Sequence, residues 1–228
     1  MPRVKAELPG GVRISDLMTV MVLARVFPTT RVKAILAETG KESIRERRLP
    51  ATLMVYYVMA LALYMQTSYQ EILRCVFEAF NWFARLGKQA PIAGKSAIAQ
   101  ARERLGEAPL KRLYNEMVAP IATEKTTGAY HRGWLLVSLD GSTLDVGDTA
   151  DNERAFGRPG VSRGDGSAFP KFWGFLLAHH AVRSIMHEAA LRSEIDPDRL
   201  SYSHAVRVIR RKLPLFTITP PSGVAEAV

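Results

Sequence analysis

One cysteine, Cys75, occurs among the 228 residues. A lone thiol excludes an intramolecular disulfide and a cysteine-rich zinc site, and its place within an apolar helical stretch suits a small packed hydrophobe. Long apolar runs are missing too. The longest uncharged stretch is Leu49 to Gln70, and its dense apolar part, Leu53 to Met65, has the length of a buried helix, short of the ~20 residues that span a bilayer. No charged-then-apolar leader opens the sequence, so the expected setting is cytoplasmic and away from membranes. A Gly-Lys-Ser/Thr phosphate loop, a dinucleotide glycine fingerprint and a Gly-x-Ser-x-Gly elbow are all absent, which removes the familiar cofactor classes. The histidines form no ligand set either. His179, His180 and His187 fall on one predicted helix without a zinc-binding spacing, and read as helix-surface or interface residues.

What the chain has is positive charge. The 31 Lys and Arg exceed the 22 Asp and Glu to give a formal net charge of +9, and the isoelectric point is near 9.9. Such a balance favours a polyanionic partner, with nucleic acid first, and says nothing about fold. The charge is concentrated: six basic residues face three acidic ones from Arg31 to Arg48, and five face two from Lys95 to Arg112. Arg199, Arg207, Arg210, Arg211 and Lys212 have no acidic residue among them, a patch suited to phosphates. From Leu139 to Pro170 the sign reverses, with Asp140, Asp145, Asp148, Asp151, Glu153 and Asp165 against three arginines. An acidic loop in a basic protein fits a nucleic-acid enzyme holding divalent metal, and equally fits ordinary loop composition.

Helix punctuation recurs through the first 120 residues. Ser15 is expected to cap a helix stopped by Pro28, and Thr30 to begin one ending at Gly40. Pro50 suits a first helical position, and Ser68 with Glu71 has capping-box spacing, with Gly87 as the stop. Ser96 to Leu105 and Pro109 to about Ala119 complete the series. The run from Leu53 to Met65 is apolar on every face, which predicts a central helix surrounded by the others. Trp134 to Leu139 reads as a strand ending at Asp140, followed by a turn and irregular chain to Pro170, with one short strand around Leu144 to Val146. Helical periodicity returns from Phe172 to Leu191, with a stripe of Phe175, Ala178, Val182, Ile185, Met186 and Ala189. Asp196-Pro197 starts a last helix that ends before Pro214, and Thr217 to Val228 is expected to fray.

Two places suggest chemistry. Asp140, at the end of a strand and before Gly-Ser, either offers a functional carboxylate or forms a turn, and Asp145 and Asp148 either add metal ligands or belong to a loop. The predicted helix at Lys95 to Leu105 presents Lys95, Ser96, Gln100, Arg102 and Arg104. Gln and Arg can read base edges and Ser can meet phosphate, while a solvated amphipathic helix fits the same pattern.

Several stretches together resemble bacterial DDE transposases of the insertion element 4 family. They are Phe27-Pro28, Leu36 to Gly40, Arg48 to Ala51, Ser68 to Ile72, Lys95 to Arg102 with Leu105-Gly106, Leu139 to Val146, and Ala155 to Gly160. The C-terminal stretches Gly174 to Ala178, Ala181 to Arg183, His187 to Ala190 and Asp196 to Leu200 are similar to that family's last helices. The resemblance implies a mainly α chain in three parts: a helical N-terminal domain over 1–130, the first strand and loop of an incomplete ribonuclease-H-like core over 131–171, and a C-terminal helical segment over 172–228. It implies DNA, at element ends, as partner, with Asp140 as the first catalytic carboxylate holding Mg²⁺ or Mn²⁺. The family's second Asp and its Glu have no counterpart, and His180-x2-Arg183-x3-His187 lacks both the Tyr and the Glu of the family signature. In-line attack on a phosphodiester uses two ions about 3.5–4 Å apart, which one Asp cannot hold. The expectation is therefore a chain internally deleted near Lys171-Phe172 and inactive alone, or a regulator that binds element ends or full-length transposase. A weaker alternative is a helical interaction protein whose charge serves solubility. With its sheet lost, the segment 131–228 is expected to be loosely attached to a stable unit over 1–130 and to promote self-association.

Overall fold

In a computed structural model, the chain is described over residues 7–8, 12–43, 49–64, 67–84, 93–124, 126, 129–135, 150, 153–154 and 168–211. A two-residue ladder pairs β1 (Glu7–Leu8) with β2 (Val12–Arg13). Six helices follow: α1 (Ile14–Val26), α2 (Thr29–Glu38), α3 (Ala51–Leu63), α4 (Tyr69–Ala84), α5 (Lys95–Leu105) and α6 (Ala108–Met117). A hairpin of β3 (Tyr130–His131) and β4 (Trp134–Leu135) precedes the long α7 (Ala168–Arg192), a 3-10 turn (Pro197–Arg199) and α8 (Tyr202–Arg211). The fold is mainly helical. No helix among the described residues is long and apolar enough to cross a membrane.

The all-apolar helix is central, as its sequence predicts. Nine of the thirteen residues of α3 are buried, and α1, α2, α4, α5 and α7 all pack on it. A helix without a polar face can be stable in water only when neighbours cover it on every side, and burial of a large apolar side chain is worth about 1.5–3 kcal/mol. Helix α7 covers α3 more extensively than any other described element. The two backbones come very close at Gly174: a Cβ built there would lie 2.5 Å from Val58 Cγ1 and 2.7 Å from the Val58 carbonyl oxygen. Only a residue without a side chain fits that crossing.

This packing corrects the expectation of a loosely attached C-terminal segment. Leu177, Ala178, Ala181, Val182 and Met186 of α7 are buried in the same core as Val20, Leu23, Phe27 and the α3 side chains. The N-terminal helices thus supply the cover that a lost sheet was expected to withhold. Helix α7 also starts earlier than Phe172, with Pro170 in its first turn, where a missing N–H removes no intrahelical hydrogen bond. The helix runs unbroken through Lys171-Phe172. Of the expected stripe, Ala178, Val182 and Met186 are buried and Phe175, Ile185 and Ala189 half-buried, while Phe172, outside the stripe, is exposed.

Some local signals act as read, while Ser15 lies inside α1 rather than capping it and Pro50 stands just before α3 rather than in its first position. Gly40 takes φ +65° after Thr39, its N–H donating to the Ala37 carbonyl and that of Lys41 to the Leu36 carbonyl, a Schellman ending for α2. Ser68 Oγ accepts from the Glu71 N–H at 3.3 Å, but the Glu71 carboxylate turns to Arg74, so only half of the capping box forms. The last expected helix divides in two. Asp196 accepts from the Asp198 N–H to hold the 3-10 turn, and Ser201 then caps α8 by accepting from the His204 N–H. The strand expected at Trp134 begins in a hairpin turned by Arg132 (φ 49°) and Gly133 (φ 83°), with Trp134 79% exposed. Its continuation to Asp140, the strand around Leu144, Gly87 and the C-terminal tail lie outside the described residues.

Tyr56 joins α3 to the end of α1. Its buried hydroxyl donates to the Phe27 carbonyl, one of the acceptors left over where Pro28 ends the helix, and its ring packs against Phe80. Burial alone drives the hydroxyl's pKa upward, so it stays a donor across the accessible pH range. Tyr56→Phe keeps the ring and leaves the carbonyl buried without this donor. It is expected to lower unfolding stability by about 1–3 kcal/mol in denaturant titration; a change within error would show that the bond contributes nothing.

Candidate nucleic-acid interface

Helix α5 is amphipathic in three dimensions. Gly94 precedes it in extended conformation, and Ile98, Ala101, Arg102 and Leu105 turn inward toward α3 and α4. Lys95, Ser96, Gln100, Glu103 and Arg104 are exposed over the opposite arc. The structure therefore brings together four of the residues expected to meet DNA and removes a fifth. Arg102 is 1% exposed, at the edge of the buried arc one turn from Ile98, with its guanidinium carbon 5.3 Å from the Tyr69 ring centroid. It packs beneath the surface rather than on it. Glu103 lies within the exposed arc and opposes phosphate there, which leaves Lys95, Ser96 and Gln100 in the first two turns as the better anion contacts.

The remaining basic residues divide into committed and available ones. Arg31 makes a two-pronged bond to Glu116 of α6, with Glu38 3.2 Å away, and Arg112 lies 3.6 Å from Glu38. These bonds hold Glu116 below the ordinary carboxylate range, with the Arg31 hydrogen bond as the main cause. Arg74 is engaged by Glu71 and Glu78 along α4. Arg25 of α1 and Arg192 both bond Glu188 of α7, at 2.6 and 2.8 Å. The excess of charge from Arg31 to Arg48 is thus partly spent within the fold. Lys95, Arg104 and Lys111 form no ion pair among the described residues, and all three are exposed.

Sequence reasoning passed over an aromatic and basic group beside α5. Tyr69, 38% exposed, carries Lys171 Nζ at 5.7 Å from its ring centroid in addition to Arg102. Gln70 Nε2 donates to the Ala93 carbonyl at 3.5 Å, which places the start of α4 beside the start of α5. Trp173 packs on Tyr114 of α6 at 5.3 Å, and Lys111 Nζ stands 5.9 Å from the Trp173 centroid. The signal in the sequence was the triplet Lys171-Phe172-Trp173, a cation beside two aromatics.

The second expected basic group is carried by α8, which packs on α1 and α7 rather than on the neighbours of α5. Arg207 is exposed there; the side chains of Arg210 and Arg211, and Lys212 altogether, lie outside what is described. The three histidines of α7 are interface residues, one of the two readings their sequence pattern left open. His179 packs against Tyr202 of α8 at 4.8 Å, with the Arg183 guanidinium 5.4 Å from the same tyrosine ring. His180 meets Phe27 and lies 3.4 Å from the Ser184 hydroxyl, and His187 Nε2 is 3.3 Å from Thr126 Oγ1. Burial lowers the pKa of His179, with Arg183 adding to it, and burial together with His179 lowers that of His180. Asp140 and its neighbours Asp145 and Asp148 lie outside the described residues. Among those described, no three His, Cys, Asp or Glu side chains stand together as a metal site, and Glu188 is held by its two arginines.

The insertion element 4 transposase N-terminal family matches residues 17–115, the stretch that builds α1 to α6 and carries the α5 face. Over this module the chain is similar to the insertion element 4 transposases. Over 127 residues it is 29% identical to a protein of Escherichia coli (strain K12) named transposase InsG for insertion sequence element IS4, covering 56% of this chain and 27% of that protein. Over 149 residues it is 23% identical to the putative transposase InsZ of the same organism, covering 65% of this chain and 47% of the relative. The chain thus spans less than half of the length of either relative. No solved structure matches it. These similarities bear out the family resemblance read from the short motifs.

The two depressed histidines give the fold an acid sensitivity with a definite sign. Above pH 6.5, the ordinary histidine value, both are neutral whether the chain is folded or not; below it, the unfolded chain takes up protons that the folded one resists. Stability should therefore fall as pH drops below about 6.5, and fall again in the carboxylate range as Glu116 is protonated. Denaturation midpoints measured from pH 8 to 4 check this, and a midpoint that rises between pH 6.5 and 5 would contradict it.

Proposed function

We propose that this chain binds duplex DNA through the exposed face of α5, as a DNA-binding member of its transposase family. The observation that carries this reading is the arc of Lys95, Ser96, Gln100 and Arg104. Among the described residues its cations have no carboxylate partner, and it stands on a helix whose inner face is fixed in the core. Lys95 and Ser96 suit phosphate oxygens, while Gln100 and Arg104 have the donors and acceptors to reach base edges. Arg207 and its neighbours Arg210, Arg211 and Lys212 would add phosphate contacts from a second helix. The division into a module over 1–130, a core fragment over 131–171 and a C-terminal segment over 172–228 belongs to the same reading.

On this reading the intact family carries out metal-dependent strand cleavage and transfer, with Asp140 contributing to a Mg²⁺ or Mn²⁺ site. The present sequence holds neither the second Asp nor the Glu of that triad, so the chain would bind DNA at element ends without cutting it. Regulation follows as the second reading: a chain that occupies element ends, or pairs with full-length transposase, competes with the active protein. Mixing it with an active relative would separate occupancy from inertness.

Affinity for a duplex across a salt series tests the binding. It should fall steeply, with log K declining by about 0.9 per log unit of salt for each phosphate contact. Lys95→Gln should reduce that slope by about 1, and Glu103→Gln should raise affinity at low salt by removing the anion in the arc. A flat salt dependence, or affinity indifferent to both substitutions, would remove α5 as the contact surface.

A further inference from the structure

The strip that runs from α4 across the start of α7 to α6 alternates cations with aromatic rings. Tyr69 holds the Lys171 ammonium over its ring, and Phe172, 39% exposed, stands edge-on to Trp173 at 5.3 Å. Trp173 in turn carries the Lys111 ammonium 5.9 Å from its ring centroid and packs on Tyr114. The elements are locked: α7 is fixed on α3 at Gly174, immediately after Trp173, and α6 packs on α7. Exposed Tyr69, beside the Lys171 ammonium, and exposed Phe172, beside the Trp173 ring that carries Lys111, are thus rings presented on packed helices. A duplex offers this arrangement only half of what it can use, because its base faces are stacked inside the helix and its outside is phosphate and sugar. A polyacidic peptide supplies charge but nothing to stack. A single strand supplies phosphates and bare base faces in alternation, which matches cations alternating with rings.

We propose that Tyr69, Lys171, Phe172, Trp173 and Lys111 form a binding strip for single-stranded DNA beside the duplex-facing arc of α5. The inference rests on the reading of this chain as DNA-binding and adds a second form of the partner. Phe172 is the stacking platform, and Lys111 and Lys171 hold the flanking phosphates. Because Gln70 and Tyr69 adjoin the start of α5, a strand on this strip and a duplex on the α5 arc would approach each other at one edge of the bundle.

The test uses the full chain and fluorescence anisotropy with two probes, a labelled oligodeoxythymidine and a labelled mixed-sequence duplex. Phe172→Ala, a change at an exposed side chain, is expected to lower oligodeoxythymidine affinity about fivefold or more and to leave duplex affinity unchanged. Phe172→Leu, which keeps apolar area and loses the ring, is expected to weaken the single strand likewise. Lys111→Gln is expected to weaken it and to flatten its salt dependence. Unchanged oligodeoxythymidine affinity in both Phe172 variants would overturn the proposal, as would an equal loss for both probes or displacement of the strand by polyglutamate at matched charge. Phe172-dependent binding of the single strand without any duplex binding would support the strip while contradicting the α5 reading. Duplex binding that responds to Lys95→Gln, with a single strand indifferent to Phe172, would do the reverse.

Discussion

The close crossing of α3 and α7 is the constraint on which the remaining structure depends. A helix as apolar as α3 has no face to offer water, so it needs neighbours all around it, and Gly174 lets the last long helix come near enough to close that ring against Val58. Every other arrangement follows from that enclosure. Helix α1 packs on both partners, α6 is drawn onto the flank of α7, and the aromatic strip appears where α7 emerges between α4 and α6. Glycine in a helix costs about 1 kcal/mol of propensity relative to alanine, a penalty small beside the apolar area that the approach buries.

Electrostatics divides the molecule by a similar logic. Most of the described arginines that lie between helices are matched with carboxylates: Arg25 with Glu188 ties α1 to α7, and Arg31 with Glu116 ties α2 to α6. These pairs are half exposed and contribute modestly to stability, but they fix register between helices and withdraw charge from any partner. The net charge of +9 therefore overstates what DNA would meet; among the described residues Lys95 and Arg104 of α5, Lys111 and Arg207 are exposed and have no carboxylate partner. A charge count along the sequence treats Arg31 and Lys95 alike. The fold does not.

The same contrast explains how far the sequence could be read. Helices α1 to α6 were legible because their signals are local: proline before α2 and α3, Gly40 at φ +65°, and an apolar run too uniform to be a surface helix. Four of the five exposed residues of α5, Lys95, Ser96, Gln100 and Arg104, were legible from chemistry and period. Arg102 was not, since a guanidinium is expected at the surface and its partner Tyr69 lies 33 positions away in sequence and on another helix. Pro170 read as the end of an irregular stretch, although it lies in the first turn of α7, where proline is tolerated. Integration of α7 into the core was hidden for a deeper reason. An amphipathic stripe announces that a helix will be covered, never by what, and here the N-terminal helices cover a helix that was expected to be loosely attached.

Chain similarity and geometry meet at one point, the core that a transposase N-terminal module completes with a helix from the far end of the chain. Native-state amide hydrogen exchange across a denaturant series tests that account most directly, because it reports the opening free energy of each helix in the intact chain. If α7 completes the core, the slowest amides of α3 and α7 will merge into one cooperative unit that opens with the same free energy and the same denaturant dependence. Exchange of α7 through a separate, lower-energy opening, with α3 still protected, would show that the N-terminal helices form the core alone.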